Sequence, residues 1–486
     1  MDLIITIIRD YWPYGFTALT LLATVWTALH VVLKKNDTRA AIGWLGLVWF
    51  APVLGVCLYW IFGVNRIQRR AQTKFTRKKR VVLTGPGEIV SSKAMEDHYK
   101  GLSSSLTQLC RLTEKVTMQP LMPGNEIIPL MNGDQAYPEM LAAIEDADRS
   151  VSMATYIFDN DHWGKKFRIA LKDAVARGIE VRVLIDAVGS RYSLPSIISG
   201  LRDDGIKVSR FMKTLLPWRF RYLNLRNHRK IMVTDGTTGF TGGMNIRAGS
   251  VLGEQSDCPL QDIHFKIKGP VVAQLQQIFT EDWYFSTGEE LAGPRWYPVL
   301  NQCGEVVARG IADGPDEDFD TLRIVMLGAI STARTSINIA TPYFLPDHDL
   351  LTALQVAALR GVRVEILLPG TTNLRMVKWA SDASLEELVR SGCRIYYTPA
   401  PFDHTKLMTV DRGWVLLGSA NWDARSLSLN FEFNVECYHP GFARMVEKVL
   451  AEKVRKGRLL TLQDLHETGL VIQLRNRFFR LFTPYL

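Results

Sequence analysis

His228 to Asn245 reads HRKIMVTDGTTGFTGGMN, and His404 to Asn421 reads HTKLMTVDRGWVLLGSAN. Both fit H-x-K-x4-D followed by a Gly-x-x-Asn turn. One such match by chance in a chain this long has a probability of roughly a few per cent at average residue usage. Two, at equivalent places in two repeats, are far rarer. In a strand, residues i and i+2 point to the same face. His228 and Lys230 therefore project together into one site, as do His404 and Lys406.

The repetition extends outward from these runs. Residues 140–158, MLAAIEDADRSVSMATYIF, match residues 326–344, MLGAISTARTSINIATPYF. The match continues, shifted, from AVARGIEVRVLI (174–185) to AALRGVRVEILL (357–368). Each reads as the end of a helix, an Arg-Gly stop and then a strand. Gly178 and Gly361 suit the position just past a helix, where positive φ is needed. Helices alternating with β-branched runs predict α/β layers around a largely buried sheet. Two similar halves, about 120–300 and 305–486, predict an internal duplication and a pseudo-two-fold pair. Pro294 and Pro298, then the acidic run Asp313 to Asp320, mark the seam.

The motif residues His228, Lys230, Asp235, His404, Lys406 and Asp411 are read as catalytic. A neutral imidazole beside an ammonium suits attack on an anionic phosphodiester: the lysine offsets the anion's charge and the imidazole supplies electrons. Two such pairs meeting at the pseudo-two-fold give one histidine as nucleophile and one as general acid. Asn245, Ser419 and Asn421, with nearby glycine amides, are candidate donors to phosphate oxygens. A metal site is disfavoured, because a protonated lysine donates and cannot ligate.

The paired motifs resemble the phospholipase D superfamily. The resemblance narrows to bacterial cardiolipin synthases through NHRKIMVTDG (227–236), FTGGMNI (240–246), TPYFLPDHDLL (341–351) and GSANWDARSLSLNFEFN (418–434). It covers nearly the whole chain. One departure is visible: Arg247-Ala248-Gly249 follows GGMNI, where the family commonly has Gly-Asp-Glu or similar. The resemblance implies two pseudo-symmetric phospholipase D-like α/β-sandwich halves, residues 121–300 and 305–486. It also implies transphosphatidylation: one phosphatidylglycerol forms a phosphatidyl-histidine and releases glycerol, and the hydroxyl of a second then attacks to give cardiolipin. By family analogy His228 is the nucleophile and His404 the acid, then base, although the pseudo-symmetry permits the reverse. Family members place a carboxylate behind each histidine. Asp262 and Glu432 match in position, 34 and 28 residues after their histidines. Glu432 lies between Phe431 and Phe433, where a charge needs a partner. No motif points to a nucleotide, a metal or another cofactor. A hydrolase releasing phosphatidic acid and a nuclease share the motif and are the competing readings.

The charge distribution bears on the second of these. The 486 residues carry a net charge of +9. Residues 1–80 hold 12 Lys/Arg against 3 Asp/Glu, and the remaining 406 residues hold 46 of each. The motif-bearing part is neutral, which disfavours nucleic acid, since phosphate-backbone binding needs excess Lys/Arg. Ordinary hydrophobic and charged fractions of 47% and 22% exclude wholesale disorder. Six cysteines in no C-x-x-C spacing argue for reduced thiols facing a cytosol.

Two uncharged runs, Tyr11–Leu33 of 23 residues and Ala40–Val64 of 25, are each long enough to cross a bilayer as a helix. They predict an N-terminal two-helix transmembrane hairpin over residues 1–65, kinked at Pro52 and Gly55; a re-entrant hairpin is the alternative. Residues 66–120 follow as a basic juxtamembrane segment and helical connector. Arg9 and the eight Lys/Arg from Arg66 to Arg80 flank the pair, against three in the linker. The positive-inside rule then places the catalytic halves on the cytoplasmic side of a bacterial inner membrane. The basic segment also suits anionic headgroups. Residues 211–226 (FMKTLLPWRFRYLNLR) and 475–486 (RNRFFRLFTPYL) mix basic and aromatic side chains, a composition suited to shallow membrane insertion. The partners expected are phosphatidylglycerol and anionic membrane lipids.

Overall fold

Pro52 divides the second uncharged run. A proline has no N–H to give a helix and its ring crowds the preceding turn. The computed structural model describes residues 2–35, 38–63, 104–193, 195–212, 225–314 and 320–483. In it α1 (Asp2–Lys34) is unbroken, whereas the second run forms α2 (Thr38–Phe50), α3 (Pro52–Leu58) and a π turn (Tyr59–Gly63). Gly55 lies so close to the Leu47 carbonyl oxygen that a Cβ there would approach it to 2.4 Å. A straight helix would hold those residues about 12 Å apart, so the bend at Pro52 is sharp. Among the described residues one helical stretch, Tyr11–Lys34, is long and apolar enough to cross a membrane. The bent arm packs back on it: Trp60 donates to Thr27 Oγ1 at 2.9 Å, and the Tyr59 hydroxyl lies 2.8 Å from His30 Nδ1. The basic segment from Arg66 to Arg80 lies outside the described residues, as does most of 211–226.

The N-terminal helices form one unit and the repeats another. Among the described residues the first element of the second unit is α4 (Ser104–Thr117). The first half then runs β1 (Met122–Met131), α5 (Asn132–Glu145), β2 (Ser150–Thr155), α6 (His162–Ala176), β3 (Glu180–Asp186), α7 (Ile197–Asp203) and β4 (Lys207–Phe211). It closes with β5 (Ile231–Thr234), β6 (Thr238–Gly242), β7 (Leu260–Gln261), β8 (Ile263–Lys268) and α8 (Val272–Thr287). The second half repeats this plan: β9 (Val306–Asp313), α9 (Thr321–Thr332), β10 (Ser336–Ala340), β11 (Phe344–Leu345), α10 (His348–Leu359), β12 (Arg363–Pro369), α11 (Arg375–Arg390) and β13 (Arg394–Thr398). It continues with β14 (Phe402–Asp403), β15 (Leu407–Val410), β16 (Trp414–Gly418), β17 (Trp422–Asp423), α12 (Ala424–Ser428), β18 (Glu432–Tyr438) and α13 (Pro440–Lys456). After it come β19 (Arg458–Leu459), α14 (Leu462–His466) and α15 (Leu470–Arg480). Gly178 and Gly361 end α6 and α10 at φ +86° and +90°, as their place after Arg-Gly predicts.

The duplication is explicit in the sheet. The order β4-β3-β2-β5-β6-β8-β1 of the first half is mirrored as β13-β12-β10-β15-β16-β18-β9 in the second. The two meet where β1 pairs antiparallel with β9, so both halves share one 15-stranded sheet. Alternation along β9 sends Val307 and Ile311 into a core with α4, α9 and α10. Val306 and Ala308 face the other way, into a core where α8 and α13 pack strands of both halves. The helices α5, α6 and α7 cover the first half's own face. An ion pair with no exposure, Arg309 Nε to Glu436 at 2.7 Å, fixes α4 to the sheet, because Arg309 also donates to the Cys110 and Gln119 carbonyls. Breaking such a pair on one side costs about 3–5 kcal/mol, since the other charge is left buried.

Candidate active site

Each H-x-K run approaches the site along the partner half. Asn227 bridges Phe431, and the His228 amide donates to the Phe431 carbonyl at 2.9 Å. In the second half β14 pairs with β7 in parallel, and the His404 amide donates to the Gln261 carbonyl at 2.7 Å. The residues that follow Phe431 and Gln261 are Glu432 and Asp262. The pairing is therefore crossed. His228 Nδ1 lies 3.0 Å from both Glu432 carboxylate oxygens, and His404 Nδ1 lies 2.8 Å from Asp262 Oδ2. Sequence spacing assigns each carboxylate to the histidine of its own half; the structure corrects that assignment. The cause is the pseudo-two-fold docking, which lays each catalytic run beside the other half's carboxylate strand.

With Nδ1 held by a carboxylate, Nε2 of each ring is left for substrate. Lys230 donates to the His228 carbonyl at 2.7 Å, and Lys406 to the His404 carbonyl at 2.7 Å, with its Nζ 3.1 Å from both His404 ring nitrogens. The two pairs share one site: the Lys406 charge acts on His228, and that of Lys230 on His404. Burial lowers the pKa of both imidazoles, reinforced by the lysines, His404 to about 4. Burial likewise brings Lys230 down to about 7 and Lys406 to about 8.

The carboxylates differ. Burial pushes Glu432 up to about 7, against the pull of Lys230. Burial acts in the same sense on Asp262, but the Lys406 charge and the His404 hydrogen bond outweigh it and hold Asp262 below the usual carboxylate range. Both imidazoles are therefore neutral. At His404 the ionised Asp262 opposes the lowering, so it is the group that favours an imidazolium there once an anionic phosphodiester enters.

The other predicted residues fall into three groups. Asn245 accepts from the Ile157 amide at 3.0 Å, which directs its NH2 group the other way. Asn421 donates to Ser426 Oγ at 3.2 Å. Ser419 does not fit the phosphate-donor role, because its hydroxyl donates to Glu432 Oε2 at 2.6 Å and accepts from the Phe433 amide at 3.0 Å. It orients the carboxylate instead. The matching residue of the first half is Gly243, where a Cβ would come within 2.6 Å of Asp262 Oδ2.

Asp235 and Asp411 are not in the site. Each stands in the turn after its strand, at φ +53° and +50°, conformations that Asp adopts more readily than most residues. Asp235 accepts from the amides of Asp148, Arg149 and Ser150, and Asp411 from those of Arg334, Thr335 and Ser336. Each thus fixes the start of the neighbouring strand, roughly 15 Å along the strand from its lysine. Asp235→Ala and Asp411→Ala are expected to lower stability by about 1–3 kcal/mol, the cost of unsatisfied amides. Turnover per folded molecule should stay within a few-fold of wild type. A catalytic role predicts instead a loss of about 10²–10⁴, so thermal melts beside active-site-normalised rates separate the two.

Sequence reasoning missed the walls of the site. The Tyr156 ring stands edge-on to His228 at 5.2 Å, and Tyr343 and Phe402 lie 6.5 and 6.1 Å from His404. Behind the histidines the halves carry reversed charge. Arg229 and Asn227 bind Asp282 of α8, whereas Asp403 and Thr405 bind Lys453 of α13. At the departure from the family pattern, Arg247 faces Asp159, with Nε 3.3 Å from its carboxylate.

The family described as cardiolipin synthase, PLD-like domain, matches this sequence twice, over residues 140–283 and 326–454. Residues 22–63 match the family described as phospholipase D-nuclease N-terminal. The sequence is 32% identical to a cardiolipin synthase of Geobacillus sp. (strain WCH70), covering 98% of this chain and 96% of that protein. It is 34% identical to cardiolipin synthase A of Pseudomonas putida, covering 98% of each. A phosphatidylserine synthase of Haemophilus influenzae shares the fold, with a TM-score of 0.61 over 78% of this chain and 100% of that chain at 15% identity.

Proposed function

We propose a residue-by-residue mechanism for this chain, which belongs to the cardiolipin synthase family of phospholipase D-like phosphatidyltransferases. The chain is a membrane-associated cardiolipin synthase. The observation that carries the mechanism is the crossed pair of histidine–carboxylate contacts, with a lysine bonded to each histidine's carbonyl.

His228, neutral against Glu432, attacks the phosphorus of one phosphatidylglycerol through Nε2. The lipid's phosphate anion, with Asp262, favours a protonated His404 in the bound state. The bond from phosphorus to the headgroup glycerol oxygen breaks, and His404 gives that oxygen its proton. Phosphatidyl-His228 and free glycerol result. The hydroxyl of a second phosphatidylglycerol then attacks the phosphorus, its proton passes to His404, and His228 leaves. The product is cardiolipin, with one phosphodiester broken and one formed. Lys230, Lys406 and the NH2 group of Asn245 offset charge on the phosphate oxygens. The two N-terminal runs hold the enzyme in a bacterial cytoplasmic membrane, and the excess of flanking Lys/Arg orients the catalytic unit toward the cytoplasm.

Full-length protein in phosphatidylglycerol vesicles, with no nucleotide or metal added, should form cardiolipin and glycerol one to one, as read by mass spectrometry. Phosphatidic acid as the main product would mean that water, not a lipid hydroxyl, reaches the intermediate.

A further inference from the structure

We propose that α15 is an interfacial helix that lays the catalytic unit on an anionic bilayer, separately from the N-terminal helices. Its polarity is inverted. The side facing the protein carries the buried Asn476, and Phe479, which packs on Val377 and Ala380 of α11. The side facing away is apolar: Leu470 is 70% exposed, Val471 80%, Leu474 60%, Phe478 55% and Leu481 75%. Positions 470, 474, 478 and 481 recur at helical spacing, so they make one stripe. Together they expose on the order of several hundred Å² of apolar surface, the size of patch that marks an interaction site.

Charge identifies the occupant. The patch is edged by Arg475, Arg477 and Arg480, with no acidic residue between Leu470 and Leu481. Arg475 is held over the Trp379 ring at 4.3 Å, and Arg480 donates to the Ala383 carbonyl at 3.3 Å, so the cations are placed at the rim of the stripe. An apolar stripe rimmed by arginines is complementary to acyl chains beneath anionic headgroups.

The location gives the surface a purpose. The α11 helix on which α15 rests also walls a small cleft lined by Tyr343, Pro369, Val377, Lys378 and Tyr397. The Tyr343 ring is the one that stands 6.5 Å from His404. A bilayer under α15 would therefore lie on the side of the catalytic unit where Tyr343 borders the general acid, a placement that suits a lipid substrate entering from the membrane.

The test uses the full chain with exposed Cys57, Cys258 and Cys303 replaced by serine, and Phe478→Cys labelled with an environment-sensitive fluorophore. In phosphatidylglycerol vesicles containing nitroxide-labelled lipid, the lipid should quench at least about half the emission, and aqueous iodide little. Phosphatidylcholine vesicles should show weaker lipid quenching. Iodide quenching without nitroxide quenching overturns the proposal. So does protection that vanishes on dilution to one chain per vesicle, which would assign the stripe to a second copy. This readout does not depend on turnover, so it stands apart from the catalytic mechanism. In addition, Leu474→Glu with Phe478→Glu should slow cardiolipin formation about tenfold in vesicles, while rates in detergent mixed micelles stay within about twofold of wild type. Equal losses in both would make α15 a structural element only.

Discussion

His404→Ala should give an enzyme that starts the reaction and cannot finish it. With phosphatidylglycerol, both His404→Ala and His228→Ala are expected to lose at least about 10⁴-fold in turnover, because nucleophile and acid act as a unit. The two variants should separate when the leaving group needs no proton. With a phosphatidyl ester of p-nitrophenol, His404→Ala should release close to one equivalent of nitrophenolate per site and then stop. The phosphatidyl group should remain on His228, for want of a base to activate the second lipid. His228→Ala should release none. The expectation rests on the unequal carboxylates: Asp262 is held below the usual carboxylate range and favours a proton on His404 once the lipid anion is bound, whereas burial raises Glu432 and gives His228 less such support. A burst from His228→Ala and none from His404→Ala would exchange the two roles.

Much of this site could be read from residues alone, and the misreadings share one physical origin. The histidine–lysine spacing predicts a strand face, a local property; the structure instead sets both H-x-K runs in the segments just before β5 and β15, and still brings the two pairs into one site. The helix stops at Gly178 and Gly361 are local too. Recurrence of Asp235 and Asp411 at fixed spacing was open to two meanings, catalysis or a turn that every copy of the fold must make. Their positive φ and three amide donors each show the second. Ser419 carries a donor at the right place in the motif, but its use depends on Glu432, which arrives on a different strand. The β1–β9 seam left no signal, because strands that pair across a pseudo-two-fold need only be apolar on both faces. The bend at Pro52 was legible as a proline in a helix; its sharpness depends on Gly55 reaching the Leu47 carbonyl.

The crossed carboxylates yield the second large effect, and they separate the structure from the assignment by sequence distance. Glu432→Gln replaces a group that only accepts with one that can also present an N–H to His228, so the tautomer with Nε2 unprotonated is no longer enforced. Loss of that role is expected to lower turnover by about 10²–10⁴. It should also abolish the nitrophenolate burst, because the defect falls on the nucleophile. Asp262→Asn should lower turnover with phosphatidylglycerol to a similar degree and yet keep the burst, because it disables only the acid. If each carboxylate served the histidine of its own half, the outcomes would be exchanged, with the burst lost in Asp262→Asn. The neighbours sharpen the test. Ser419→Ala removes the 2.6 Å hydrogen bond to Glu432 and should weaken the burst rate, as a milder copy of Glu432→Gln. Gly243→Ala pushes a methyl group against Asp262, where the approach is 2.6 Å, and should leave the burst intact while slowing the complete reaction. The four substitutions then sort by which histidine each carboxylate faces across the pseudo-two-fold, and not by which half of the chain supplies it.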